Sequence, residues 1–419
     1  MTKRFFEFAV VLMTVSALGR MADAEVLDRP LGIKVGERLT ICPSVSMSLT
    51  YDSNVEANSG TGSGKKDDFL WTISPILALR YNAETWSANL SGFYNYRQYF
   101  DSSHQNYNHH NYGEEFRWNW SNSTGTEKGW SLILGESFQQ ITMADDMVLD
   151  GGQNYSGDSR QLQIAGAVQR RFNQYWHGDV NASYYWLDYD NDETSRYAYY
   201  GWDRILVGAE AGFAPSPWTD ILVAGSYQYY NQDNAEGSSY GISDSSQGVS
   251  LQGGLGSYMT ERISYRLLAG WSMFDYGKGA SKANGFVYTA SGNWKIGETW
   301  NTMLLASSYY QPSERQYSSQ SRVDEVSWGI AKVMVRGKLR ATFDVRYRHE
   351  TNESAEDSDW DYSLDIWTGR LGADYTFCRF LSVFAYGEYQ NSMNSEADKR
   401  NGAYDYDRWR VTAGFRVQY

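Results

Sequence analysis

The 419-residue chain reads as all-β: a transmembrane, antiparallel, up-and-down β-barrel of about eighteen strands, with sixteen as the other count its boundaries allow. Three observations carry that reading. Segments of about nine or more residues alternate apolar and polar side chains, the period of two that places successive residues on opposite faces of a strand. Long and short connections between these segments alternate down the whole chain. Composition agrees: aromatics are 16%, with 34 Tyr and 16 Trp, Gly is frequent at 39, Pro is scarce at 6, and mean hydropathy is only −0.58. A helical membrane protein would be far more apolar, whereas a barrel shows lipid only every second residue and rings both interfaces with aromatics.

The N-terminus has the form of a secretory signal. Lys3 and Arg4 supply the charged start. Phe8 to Leu18 supply an apolar core too short to span a bilayer as a helix. Ala22-Asp23-Ala24 gives a small-residue cleavage pattern, so residues 1–24 are expected to be removed between Ala24 and Glu25. That segment holds three basic residues (Lys3, Arg4, Arg20) and two acidic ones (Glu7, Asp23), so removing it changes the formal charge from −13 to −14. A negative chain has no general affinity for nucleic acid. Residues 25–37 read as a periplasmic lead-in with an extra strand or turn at Leu31 to Val35, and residues 38–419 as the barrel.

The first barrel strand places Leu39, Ile41, Pro43, Val45, Met47, Leu49 and Tyr51 on one face and Thr40, Cys42, Ser44, Ser46, Ser48 and Thr50 on the other. After a long Gly/Ser/Asn/Lys loop, Phe69, Trp71, Ile73, Pro75, Leu77, Leu79 and Tyr81 share a face. A tight Asn82-Ala83-Glu84 turn leads to Trp86, Ala88, Leu90, Gly92, Tyr94 and Tyr96. Further long connections fall near residues 101–110, 143–158, 189–197, 231–246, 275–284, 311–321, 349–360 and 391–403. Short ones fall near Asn82, Thr124, Asn173, Pro215, Thr260, Ile296, Gly337 and Phe377. With the first long loop at 52–68, this ordering puts both chain ends on the short-turn side, the periplasm. A soluble sandwich has no reason to keep its long loops at one end. Pro43 and Pro75 lie inside strands, where a missing N–H predicts a bulge or a lost ladder bond.

The last strand closes the pattern. Trp409, Val411, Ala413, Phe415, Val417 and Tyr419 form an apolar face ending on an aromatic, as the assembly signal of outer-membrane barrels does. In lipid every backbone polar group needs an internal partner, so this strand is expected to pair with Leu39–Tyr51. Cys42 and Cys378 then lie two or three strands apart, on the order of 10–14 Å at the usual strand spacing. A disulfide needs Cα atoms within about 7 Å, so pairing is not expected.

The opening strands also carry a recognisable pattern. Tyr51-Asp52-Ser53-Asn54-Val55 ends the first strand, Asp67-Asp68-Phe69 begins the second and Ser74-Pro75 lies within it. Tyr94, Tyr96, Tyr99 and Phe100 follow, then a loop with Asn106 and His109. Over about the first hundred mature residues this resembles the "putative β-barrel porin 2" family, with Tyr-Asp-Ser-Asn where the family has Tyr-Asp-Asp-Asn. The resemblance implies an outer-membrane barrel and, for members found with exopolysaccharide systems, glycan traffic. It implies no catalytic residues.

If the apolar faces meet lipid, the opposite parity lines the lumen. It carries Arg80, Arg97, Glu115 and Arg117, then Arg204 and Glu210, then Arg262 and Arg266. Toward the C-terminus it carries Arg340, Asp344, Arg346 and Arg348, then Arg370 and Asp374, Glu388, and Arg408, Arg410 and Arg416. Arg rows in a narrow pore favour anions or grip sugars; Arg–acid pairs across strands can also simply satisfy one another. Inward Tyr185, Tyr309, Phe384 and Tyr386 could stack sugars, although most Tyr and Trp read as girdle residues. Glu136 and Lys332 fall on the lipid parity, which calls for a parity slip or a place near an interface.

Acidic clusters at Glu350, Glu353, Glu356, Asp357, Asp359 and Asp361, and at Asp188, Asp190, Asp192 and Glu193, read as solvated outer loops without the spacing of a calcium loop. The five His (His104, His109, His110, His177, His349) show no zinc spacing. His349 beside Glu350 and His177 near Asp179 lack an assignable nucleophile, so neither an enzyme nor a cofactor is expected. The function expected is a porin-like pore for small polar or anionic solutes or sugars. The alternatives are a barrel for export or binding of surface polysaccharide, and a plugged structural or adhesive barrel. The expected partners are outer-membrane lipid, the barrel-assembly machinery, small solutes or polysaccharide, and a second copy of the chain.

Overall fold

In the computed structural model the described residues are 32–55, 67–101, 108–122, 129–142, 158–189, 201–216, 218–232, 245–257, 262–277, 282–312, 320–335, 337–353, 362–394 and 405–419. The signal segment, its Ala24–Glu25 junction, His104 and the acidic positions 190, 192, 193, 356, 357, 359 and 361 lie outside them, as do the side chains of His109 and Glu353.

The described residues contain no helix and form one sheet of 19 strands. They are β1 (Ile33–Val35), β2 (Leu39–Asp52), β3 (Asp68–Asn82), β4 (Trp86–Tyr99), β5 (Asn108–Ser121), β6 (Gly129–Thr142), β7 (Asp158–Arg171), β8 (Trp176–Tyr189), β9 (Trp202–Ser216) and β10 (Thr219–Gln232). There follow β11 (Ser245–Ser257), β12 (Ile263–Asp275), β13 (Lys282–Ile296), β14 (Trp300–Pro312), β15 (Gln320–Met334), β16 (Leu339–Glu353), β17 (Tyr362–Cys378), β18 (Leu381–Asn394) and β19 (Tyr406–Gln418). From β2 onward each strand pairs antiparallel with the next, and β19 returns to β2, with Val411↔Tyr51, Ala413↔Leu49, Phe415↔Met47 and Val417↔Val45. Eighteen strands therefore close a barrel, and β1 is the extra strand expected near Leu31–Val35. Strands of 13–17 residues exceed the length that crosses a bilayer, about 9–11.

Parity follows the sequence pattern. Along β19, Trp409, Val411 and Tyr419 are exposed while Arg408 and Thr412 are buried. Leu251, Met273 and Leu371 on the outer wall are 63–64% exposed, and Asp52, Asn54, Asn352 and Arg408 inside are at most 1% exposed. A wall apolar outside and polar inside is the reverse of a water-soluble domain. Aromatics band the outer wall at two heights. Tyr81 stacks on Trp86 at 4.6 Å and Phe380 on Tyr419 at 5.5 Å at the short-turn end. Tyr389 meets Trp409 at 4.4 Å, Tyr347 meets Trp367 at 4.5 Å and Trp71 meets Tyr96 at 5.2 Å toward the other end.

The short turns have local causes. Asn173 accepts the N–H groups of Tyr175 and Trp176 at 2.8 and 2.9 Å, its side chain standing in for a backbone acceptor. Gly36, at φ 70°, turns β1 back on β2. Both prolines interrupt the ladder. Beside Pro75 the pairing with β4 lapses between Ile73↔Tyr96 and Ile76↔Phe93. Pro43 accepts from Tyr419 N–H at 3.1 Å but has no N–H to return, and Gly32 N–H donates to the Tyr419 carbonyl at 3.0 Å. Thus β1 continues the edge of β2 where β19 ends.

One expectation needs correction. Glu136 is neither at a bulge nor at a strand end: the β5–β6 and β6–β7 registers run through it unbroken, and Glu114 on β5 joins it on the outer wall. Lys332, by contrast, lies close to the short-turn end, in line with the interfacial place expected for it, with Nζ 4.3 Å above the Trp300 ring. Cys42 and Cys378 are not joined by a disulfide, as expected, Cys42 being buried and Cys378 exposed at the end of β17.

Candidate binding and conduction site in the lumen

The inner face has two unlike halves along the barrel axis. At the short-turn end of β2–β5, Ser44, Ser46, Ser48, Asn89, Ser91 and Asn119 are part-exposed small polar residues. Toward the long-loop end, inward residues bury one another: Leu70 and Tyr99, Leu187 and Trp202, Tyr230, Phe274, Val323 and Leu364. These side chains form a packed band on the inner face toward the long loops, the neck of the lumen.

One wall of the neck is ionic. Arg408 grips Asp52 across the seam, with Nε 2.8 and 2.9 Å from the two carboxylate oxygens and a further bond from Nη2. Arg410 pairs with Glu388, Arg346 with Glu325 at 2.7 Å and Arg348 with Glu350 at 3.1 Å. Arg370 lies 4.2 Å over the Tyr386 ring, opposite Asp344 on one side and Glu388 on the other. Nearer the short-turn end of the same side, Arg416 lies 5.8 Å over Phe384, and Arg340 is buried opposite Asp374. These groups come from neighbouring strands, where directly opposed side chains lie close enough to pair.

The facing wall is aromatic. Tyr185, Leu187, Trp202, Tyr230, Phe274, Tyr276 and Val287 form a continuous cluster. Arg204 lies among them, 5.8 Å from the Tyr185 ring, 5.9 Å from Trp202 and 5.8 Å from Tyr230. Lower on this wall Arg266 of β12 reaches Glu210 of β9. In the register Glu210 stands opposite Ala224 of β10 and Arg266 opposite Gly256 of β11, so the pair spans two intervening strands. His177 Nε2 lies 3.5 Å from Asp220.

Tyr310 completes the aromatic cluster in a way parity did not foretell. The β13–β14 ladder stops at Thr289↔Ser307, although β14 pairs with β15 up to Pro312↔Gln320. Above the split, the β14–β15 hairpin tucks its outer face against the inner face of β13. A Cβ on Gly285 would lie 2.5 Å from the Tyr310 hydroxyl, so only glycine admits the ring. Gln228 of β10 donates to the Tyr310 carbonyl at 3.2 Å, bridging strands that are not neighbours. Nothing in the alternation marks this; the glycine was the only available signal.

Other sequence candidates separate. Arg80, Arg97, Glu115 and Arg117 point inward on β3–β5, away from the aromatic cluster. Arg262 sits exposed in the turn before β12, at the rim. Inward Tyr185 belongs to the aromatic side; Tyr309 stands between the walls, near Arg204 on one side and Glu325, Arg346, Arg348 and Glu350 on the other; Phe384 and Tyr386, 6.3 Å apart and nearly parallel, belong to the ionic side. His349 and Glu350 lie on opposite faces: Glu350 pairs inside with Arg348, while His349 Nδ1 lies 2.9 Å from Asp365 on the outer wall.

A closed antiparallel barrel with an apolar exterior and a polar, ion-paired interior defines a membrane-barrel protein. The chain belongs to the family described as "putative beta-barrel porin 2", which it matches over residues 29–419. No curated protein matches its sequence. Among solved structures it is similar to the siderophore receptor PirA from Acinetobacter baumannii, at 8% identity, with 92% of this chain and 81% of that one covered and a TM-score of 0.46. It is also similar to OpdK from Pseudomonas aeruginosa, solved with vanillate, at 12% identity, 90% and 99% coverage and a TM-score of 0.42.

Proposed function

We propose that the barrel is a selective, porin-like conduit of the outer membrane for small polar solutes, chiefly anions or sugars. In this reading the short turns face the periplasm and no chemistry is catalysed. The carrying observation is the polar, part-exposed inner face of the short-turn half leading to a neck whose cations are arginines. Acid partners neutralise Arg266, Arg346, Arg348, Arg408 and Arg410. Arg204 in the neck and Arg416 nearer the short turns contact rings instead, which biases the lumen toward anions.

Reconstitution in a planar bilayer under a salt gradient tests this. The expected result is small single-channel conductance with a reversal potential on the anion side. A folded protein without conductance at any voltage overturns it. Export of surface polysaccharide is a second reading, supported by the inward ring pairs Tyr185–Trp202 and Phe384–Tyr386. A strain lacking the gene but retaining normal surface polysaccharide would remove it.

A further inference from the structure

We infer that Arg204, with Trp202, Tyr185 and Tyr230 around it, is a binding site for a carboxylate carried on a ring. The inference deepens the conduit reading, since the site would be its selectivity element.

Three observations point there. Arg204 has three rings within reach of its guanidinium, and among the described residues no carboxylate pairs with it. Its protein neighbours are phenols, Tyr230 being its hydrogen-bonding one and Tyr309 a further one nearby. Every other neck arginine discussed above, Arg416 apart, lies opposite or against an acid.

Second, two donors of this group are buried without an acceptor: Arg204 Nε and Trp202 Nε1. Trp202 itself is only 8% exposed. Buried donors are normally satisfied, and an exception calls for a partner. Trp202 and Arg204 are two residues apart on β9, so both donors belong to the same inner face.

Third, the surroundings are flat and apolar. The Tyr185 and Trp202 rings are 4.8 Å apart, and those of Trp202 and Tyr230 are 5.5 Å apart. An isolated inorganic anion would use the guanidinium but leave these faces unused. A neutral sugar would use the faces and leave the charge uncompensated. A ring bearing a carboxylate uses both: the oxygens accept from Arg204, the ring lies against the aromatics, and a second oxygen accepts from the indole N–H. Guanidinium matches carboxylate geometry bidentately.

The test is binding to the detergent-folded full chain, read by calorimetry and Trp fluorescence, with glucuronate, benzoate, glucose and inorganic phosphate as probes. Wild type is expected to bind glucuronate or benzoate at least about tenfold tighter than glucose or phosphate, about 1.4 kcal/mol. The better of the two assigns a sugar acid or an aromatic acid. Arg204→Gln should erase the preference, and Trp202→Phe, which keeps a ring but removes the donor, should weaken it several-fold. Heat-modifiable gel migration verifies that each variant is folded. Equal binding of charged and neutral probes by wild type, or an unchanged preference in folded Arg204→Gln, overturns the inference. Because binding is read without a membrane, a silent channel would sink the conduit reading and leave this result standing.

Discussion

The two walls of the neck use the same residue type to opposite ends. On the side built from β15–β19 and β2, Arg346, Arg348, Arg408 and Arg410 meet carboxylates within hydrogen-bonding distance, and the most deeply placed pair, Arg408 and Asp52, ties the last strand to β2. On the side built from β8–β14, Arg204 meets only rings and phenols among the described residues. A guanidinium clamped by a carboxylate has its charge spent on structure. One held by aromatic faces keeps its charge for a ligand. Counting arginines along the lumen therefore says little about selectivity; their partners decide it.

The contrast can be broken in order of expected effect. Arg408→Ala leaves Asp52 charged, buried and unpaired, and should destabilise the barrel by about 3–5 kcal/mol in urea unfolding. A loss below about 1 kcal/mol would mean the ionic wall is not structural. Arg410→Gln removes a part-exposed pair and should cost about 1.5–3 kcal/mol in the same measurement. On the aromatic wall, Gly285→Val should expel the tucked Tyr310 and raise single-channel conductance; unchanged conductance would show that the β14–β15 hairpin does not narrow the neck. Arg204→Gln should alter unfolding by less than about 1 kcal/mol, because it relieves an uncompensated buried charge as well as losing ring contacts. If it destabilised as much as Arg408→Ala, the two walls would not differ in kind. Lys332→Ala, removing one cation–ring contact near the rim, should cost about 0.5–1 kcal/mol.

The barrel itself was legible because a two-residue period and an alternation of loop lengths are one-dimensional signals that survive small errors in strand boundaries. Leu39–Tyr51 against Trp409–Tyr419 followed from closure alone. The neck was less legible. Parity gives the face of Arg204, Arg346 and Arg408 but not their height or partner, since that depends on the stagger of strands far apart in sequence. Alternation places Tyr310 outside; only the split from β13 turns it inward. Glu114 is an outward carboxylate, which a pattern of apolar outward residues does not mark.

The join at Pro43 has a consequence for the order of events during folding. The edge of β2 is completed from both directions, by β19 through Tyr419 and by the segment holding Gly32, which supplies the donor Pro43 lacks. Thr50 and Thr412, 362 positions apart, touch across the same join. Contacts of such separation are slow to form, so the seam edge of the first long strand, already paired with β3 on its other side, stays open until the last strand arrives. A chain lacking Tyr419 should stall open at this point, accumulating as a form that does not shift on heating, whereas Arg416→Gln, which leaves the join untouched, should close at the normal rate.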